Sequence, residues 1–500
     1  MKVNIFLFFA IGFAVFTQAF GYQVPMPPVP SSLPQPKQQK ISKPVPLGGA
    51  SKIESKSADI KKVPKSKSAS NPNRKLKSFP RKKEKLNLIG GDQIVFVGDG
   101  LIEQMQKFGY LEHRLTIQNQ GKALYFKNIG WSGDTPAGIS RDGLGTRQAG
   151  HEPDNEGWIQ LKKQIADIKP NVVIIGYGMA SSLDGSTLEQ FKSSYQNLVA
   201  HIKSNAGKKN PLRLVFLSPI AHEDLGGKLP NGRKHNSNLE KYREIIGGLA
   251  KEHDAWFVDL YRMLKRRPGS SVAPVTHNGI HLNEYGYWNM AAATENSIGY
   301  LSSVFRFSVL GDGSERSGGY GIKLTDIKRD QDEITLNADI AALPPVFNGK
   351  KETDAIRART SIGRIQIQDC PDGDYTLVID GEEAFTASSS NWIKGAFFDK
   401  GPDVDLAERI RKLIVEKNEL YFHRSRPQNQ AYLWGFRRHE QGNNFSEIPK
   451  FDPLIKNKES EIFALNKVQS RKYKFIIASK LTELKSSNDD VPDTKVKIVQ

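Results

Sequence analysis

Cysteine is nearly absent: Cys370 is the only one among 500 residues. An intramolecular disulfide is therefore excluded, as is a lipid carried by a cysteine near the start of the chain. Cys370 lies between Asp369 and Pro371 at an expected turn and reads as structural filler rather than a nucleophile. Long apolar runs are also lacking. The longest, residues 5–16, falls short of the roughly twenty residues that a bilayer-spanning helix needs. A lysine precedes it and Ala19-Phe20-Gly21 follows, so residues 1–21 read as a signal peptide cut after Gly21, with a retained anchor as the alternative. The expected destination is the periplasm or the cell exterior, and the expected mature chain does not span a membrane.

Acidic residues are scarce in one region. Residues 22–88 hold sixteen Lys/Arg against three Asp/Glu, which accounts for +13 of the net +18. With that segment and Lys2 set aside, the remaining four hundred residues carry only +4. The basic character belongs to a Pro-, Lys- and Ser-rich tail with few aromatics to stack on bases, so no specific nucleic-acid partner is expected. The tail reads as a disordered linker, either merely solvated or adhering to an anionic envelope polymer by counterion release.

Apolar strands and amphipathic helices alternate after residue 92. Strands are expected at 94–97, 124–128, 172–175, 212–217 and 256–260, with helices at 101–108, 158–168, 188–204, 239–252 and 285–301. This alternation implies an α/β, flavodoxin-like parallel five-stranded sheet between helices, with ligands met at the carboxyl ends of the strands. Residues 89–305 are assigned to it. Strands at 333–338, 364–367 and 375–379, the last closed by an Asp380-Gly381 turn, suggest a small β-rich module over 306–400. Helices near 406–421 and 452–465 and a strand at 473–478 belong to a helical, aromatic and basic extension, 401–482, before a polar tail, 483–500.

Four blocks at the strand ends carry chemistry. They are Gly98-Asp99-Gly100, the run from Asn128 through Gly130, Ser132 and Gly133 to Asp134, then Gly178-Met179-Ala180-Ser181, and Asn278-Gly279-Ile280-His281 followed by Tyr285-Gly286. In their order and spacing they resemble the SGNH (GDSL-type) hydrolases, over roughly residues 91–301. The resemblance implies acyl transfer: a serine attacks a carbonyl, a histidine takes its proton, an acid orients the histidine, and glycine and asparagine donors hold the oxyanion. Gly133 matches the oxyanion glycine and His281 the general base. Gly100 stands at the nucleophile, Ala180 at the oxyanion asparagine and Asn278 at the acid.

Those three departures exclude serine-type catalysis at Gly100, since glycine has no side chain to acylate. Asp99 reads as a loop brace with water activation as its alternative. Ser132 and Ser181 are turn serines or ligand contacts, and His277 is a second titrating group beside the block. No histidine or carboxylate is spaced as in a zinc site, so neither metal nor cofactor is expected. In the extension, Trp434, Arg437, His439 and Asn443 fall in a run dense in planar donors and aromatic faces, suited to stacking on sugars and closing over the cleft, or else to bracing domains. Three functions stay open. One is a non-catalytic protein binding an acylated glycan or another small-molecule ester ligand, a second is a divergent hydrolase using His281 with water or a displaced nucleophile, and the third is an envelope scaffold.

Overall fold

In the computed structural model, the residues described are 76–141, 156–266, 272–300, 305–310, 320–330, 333–346, 364–396, 400–427, 439 and 442–482. Everything below concerns these residues, which fall within one compact unit, Ser70–Gln500. The apolar runs become β1 (Gln93–Gly98), β2 (Tyr125–Asn128), β3 (Val172–Gly176), β4 (Arg213–Leu217) and β5 (Trp256–Val258). They form one parallel sheet in the order β2-β1-β3-β4-β5, as expected of a doubly wound α/β domain. Residues of β1, β3 and β4 are buried on both faces, which is why they read as continuous apolar runs. One core holds Ile94, Phe96, Ile174, Val215 and Trp288; the other holds Val95, Val97, Val173, Ile175 and Phe216.

The covering helices are α1 (Gly100–Met105), α2 (Tyr110–Ile117), α3 (Glu156–Ile168), α4 (Leu188–Ser204), α5 (Arg233–Glu252), α6 (Leu260–Met263) and α7 (Glu284–Ser297). Two expected bounds shift for local reasons. β5 stops at Val258 because Asp259 turns to cap α6, its side chain accepting from the Arg262 N–H. The helix expected over 101–108 ends at Met105, and the left-handed Gly109 (φ +67°) starts α2, a helix not foreseen.

The linker boundary at residue 88 is overturned by packing. Leu86 and Leu88 are 0% and 1% exposed in the first core, and the Leu86 N–H donates to Ile298 O at 2.8 Å. Phe79 meets Phe257 edge-on at 5.0 Å, and the Trp256 indole donates to Glu84 O at 2.9 Å. Residues 76–88 are thus part of the folded domain.

C-terminally, β6 (Arg306–Leu310) pairs with β9 (Arg364–Gln368). A second, antiparallel sheet runs β11-β10-β12-β8-β7, from β7 (Ile322–Asp330), β8 (Glu333–Ile340), β10 (Asp374–Ile379), β11 (Glu382–Ser388) and β12 (Ser470–Ile477). β12 comes from the extension yet lies between β8 and β10, so a boundary at residue 400 divides a single sheet. The helices α8 (Ser389–Lys394), α9 (Pro402–Ser425) and α10 (Phe451–Leu465) complete the chain. α9 covers the open edge at β2, where Lys417 is buried, pairs with Glu112 and donates to Phe126 O at 3.2 Å. Among the described residues no helix is long and apolar enough to cross a membrane.

Candidate functional site

Four loops at the carboxyl end of the parallel sheet converge on one point. Asp99 follows β1 and caps α1: one carboxylate oxygen accepts from the Leu101 N–H at 3.1 Å, the other from Met179 N–H at 3.1 Å and Ala180 N–H at 3.3 Å. The loop after β1 is thereby tied to the loop after β3. Asp99 is 2% exposed, and burial raises its pKa from the ordinary 3.8 to about 6. With both oxygens engaged by backbone it acts as the brace, not as a group facing ligand.

Gly100 begins α1 with its α-carbon at the convergence point. A Cβ there would stand 3.5 Å from Ser132 Oγ and 3.9 Å from Cδ2 and Nε2 of His281. A hydroxyl one bond further out would reach the imidazole, so this is where an attacking group belongs. Nothing lies closer than 3.5 Å and φ is not left-handed, so neither space nor backbone demands glycine. Gly133 differs. Its φ is +78° and a Cβ would come within 2.9 Å of Ser140 Oγ, so only glycine fits.

His281 is exposed at the start of the loop leading to α7, and Asn283 caps that helix through the Gly286 N–H. Its partner is Asn278. The Asn278 Oδ1 accepts from the backbone N–H groups of Ile280 (3.2 Å) and His281 (2.9 Å). That fixes the amide: its NH2 faces His281 Nδ1 at 2.9 Å. Nδ1 also lies 3.2 Å from the same Oδ1, so the amide meets the ring in either tautomer, and Nε2 faces Gly100. A triad aspartate, by contrast, holds the proton on Nδ1 and carries the charge that steadies the imidazolium. Partial burial, and then His277 stacked 5.8 Å away, lower the pKa of His281.

The second loop is fastened from several directions. Asp134 is fully buried against Arg141 (2.9 Å) and accepts from Tyr177 OH at 3.3 Å, while Arg141 also donates to Ile129 O at 2.7 Å. Ser132 is exposed, its N–H held by Glu103 Oε2 and its hydroxyl accepting from Gln104 Nε2 at 3.4 Å. Glu103 also pairs with Arg426, just beyond α9. Ala180 contributes only its backbone to Asp99. Ser181 is 2% exposed and its hydroxyl is buried without a hydrogen-bond partner.

Glu103, Gln104 and Arg426 were not foreseen, because no local pattern marks them. A second unforeseen network lies beside the site: Ser182 Oγ meets His235 Nε2 at 2.7 Å, and His235 Nδ1 meets His222 Nδ1 at 3.0 Å. Ser182 also donates to Met179 O at 2.6 Å, so the chain of bonds ties the third loop to α5. Of the extension residues, Trp434 and Arg437 lie outside the described residues. His439 is exposed, and Asn443 lies in a short 3-10 helix, Gly442–Lys450, with its side chain outside the description. Cys370 is half-buried with its thiol pushed up by burial. Among the described residues no cluster of three or more His, Cys, Asp or Glu could hold a metal.

Residues 96–288 match the profile of the GDSL-like Lipase/Acylhydrolase family. No curated protein matches the chain significantly in sequence. Among solved structures, BT4096, a gut microbial diltiazem-metabolizing enzyme, superposes with a TM-score of 0.59 at 16% identity, covering 79% of this chain and 99% of its own. A catalytic variant of Axe2, an acetylxylan esterase from Geobacillus stearothermophilus, matches 43% of this chain and 96% of its own at 16% identity, with a TM-score of 0.32. At 16% identity the likeness to BT4096 speaks for the fold alone.

Proposed function

We propose that this chain, in which residues 96–288 form a GDSL/SGNH hydrolase-like domain, is an exported binding protein that recognises an acylated glycan or a similar envelope ligand without serine-esterase chemistry. The observation that carries this reading is the bare Gly100 beside His281, at a position where a serine side chain would fit. Asn278 adds to it, since an amide against the His281 ring carries no negative charge to stabilise a protonated imidazole. The basic segment before residue 76 supplies weak, salt-sensitive adhesion to an anionic envelope polymer.

Activity assays decide it. Wild type and His281→Ala are incubated with short p-nitrophenyl esters and acetylated sugars, and in parallel are applied to a glycan array. Binding with no turnover in either protein supports the reading; turnover lost in His281→Ala sinks it. A second reading, ester hydrolysis by a displaced nucleophile, draws on Ser132 Oγ, 3.5 Å from the Cβ position of Gly100. It requires turnover that Ser132→Ala removes.

A further inference from the structure

We infer that His222 and His235 form an acid-released latch beside the turn that carries Asn278 and His281. Their rings lie nearly perpendicular, with Nδ1 facing Nδ1 at 3.0 Å, and His235 Nε2 meets Ser182 Oγ at 2.7 Å. This row of nitrogens has places for few protons. The shared contact takes one, since a second would set N–H against N–H. His235 Nε2 can carry another. The remaining nitrogen, His222 Nε2, is buried without a hydrogen-bond partner among the described residues.

Two neutral rings carry two protons, which fit at the shared contact and at His235 Nε2. There Ser182 Oγ accepts, and its own hydrogen goes to Met179 O at 2.6 Å. With a third proton, His222 Nε2 must carry an N–H that nothing accepts, or the shared contact must hold two. That count is the same for every tautomer of the neutral pair. Burial, and then the charge on His222, hold the His235 pKa below the ordinary 6.5.

His222 has little freedom to relieve the misfit. Asn236 fixes its backbone to α5, accepting from the His222 N–H at 2.8 Å and donating to His222 O at 2.7 Å. Glycines close in on its ring: a Cβ on Gly232 would come within 2.9 Å of Cγ, and one on Gly279 within 2.8 Å of Nε2. Gly279 follows Asn278 in the turn, and its carbonyl accepts from the Glu223 N–H at 2.8 Å. A proton on Nε2 therefore drives the ring against Gly279 or out to water, and the turn loses the surface on which it rests.

The carboxylates around the pair are engaged elsewhere, and none bonds to either ring. Glu223 accepts from the Val275 and Thr276 N–H groups and the Thr276 hydroxyl, and lies 3.7 Å from Arg266. Asp224 holds the Gly226 N–H and Asn231, and Asp184 holds Ser186. Arg233 and Lys234, which precede His235 on α5, and Lys228 in the loop before it are cations. His277 and His281 on the turn become cations in acid. The latch thus holds above the ordinary histidine pKa of 6.5 and yields below it. Its use rests on the binding reading above: ligand is held at neutral pH and released in acid.

Amide exchange of the full chain, corrected for its intrinsic pH dependence, reads the latch without any ligand. Each opening takes up a proton, so protection at Gly279, Ile280 and His281 should fall about tenfold from about pH 7 to about pH 5.5, with β3 unchanged. His235→Gln keeps a polar side chain that cannot titrate and should flatten this response. A response that survives His235→Gln overturns the inference, because His277 or His281 then titrates on the turn itself. Wild-type protection that ignores pH overturns it as well. Nitrogen-15 signals of the histidine rings decide on the wild type alone: His222 and His235 should become charged only in step with the loss of protection. A charged pair under an intact turn sinks the latch. Ester turnover would bring down the binding reading and leave these outcomes unmoved.

Discussion

The guanidinium of Arg426 lies 3.6 Å from the ring centroid of Trp131 and pairs at 3.1 Å with Glu103, whose other oxygen holds the Ser132 N–H. A residue just past α9 is therefore fastened to the loop that carries Ser132 and Gly133. The stacking and the partly exposed ion pair together are worth roughly 1–2 kcal/mol. Arg426→Ala should lower stability by about that amount and speed amide hydrogen exchange at Ser132 and Gly133 while leaving β3 unchanged. Arg426→Lys should rescue little, because a lysine cannot lay a flat plane on the indole. Unaltered exchange in the loop would show that the contact does not fasten it.

Restoring the missing nucleophile separates fit from chemistry. Nothing lies closer than 3.5 Å to the Cβ position of Gly100, so Gly100→Ser should change stability by no more than about 0.5 kcal/mol. It should not create an esterase, because Asn278 gives His281 no carboxylate and Ala180 gives the oxyanion no side-chain donor. Adding Asn278→Asp gives His281 a carboxylate partner at Nδ1, and Ala180→Asn supplies an oxyanion donor, a type of group whose loss typically costs about a hundred- to a thousandfold in rate. Measurable p-nitrophenyl acetate hydrolysis should appear in the triple variant and not in the single one. An active single variant would mean that the site needs neither the carboxylate nor the asparagine donor.

What could be read from the sequence follows from how local the signal is. β1, β3 and β4 are buried on both faces and announce themselves as apolar runs. α2 does not, because Glu112, His113 and Arg114 are all buried in it and erase its apolar stripe. Their partners are distant in the chain: Glu295 for Arg114 at 2.6 Å, and Lys417 with Asn418 for Glu112. The strand-end blocks bring Gly100, Ser132 and His281 close together, with Asn278 against His281. The direction in which the Asn278 amide points is decided by backbone N–H groups and cannot be seen in residue order. Composition hid the packed arm, since Leu86 and Leu88 are two apolar residues in a lysine-rich stretch.

That arm makes a sharp prediction. Leu86 is fully buried among Ile94, Trp256 and Trp288 in the first core, so Leu86→Ala should cost about 2–5 kcal/mol in urea denaturation. A chain that starts at residue 89 also loses Leu88, the Leu86–Ile298 backbone bond and the cover over Phe257, and should melt far below one that starts at residue 76. Equal stability of the two would mean that the arm is not part of the fold.

Asp99 couples the site to pH with a definite sign. Its folded pKa of about 6 lies above the ordinary 3.8, so between those values the folded state holds a proton that the unfolded state has released. This group therefore subtracts stability as pH rises from about 4 to about 6, by roughly 3 kcal/mol in all. Asp99→Asn removes the titration. It also sets an NH2 against a backbone donor, either the Leu101 N–H or those of Met179 and Ala180, a penalty that does not depend on pH. The variant should be less stable than wild type at low pH, and the gap should narrow as pH climbs through that window and then stay level. Chemical denaturation of both proteins across the range reads it directly. A gap of constant width would mean that the carboxylate is already ionised at the acid end and that backbone donors outweigh its burial.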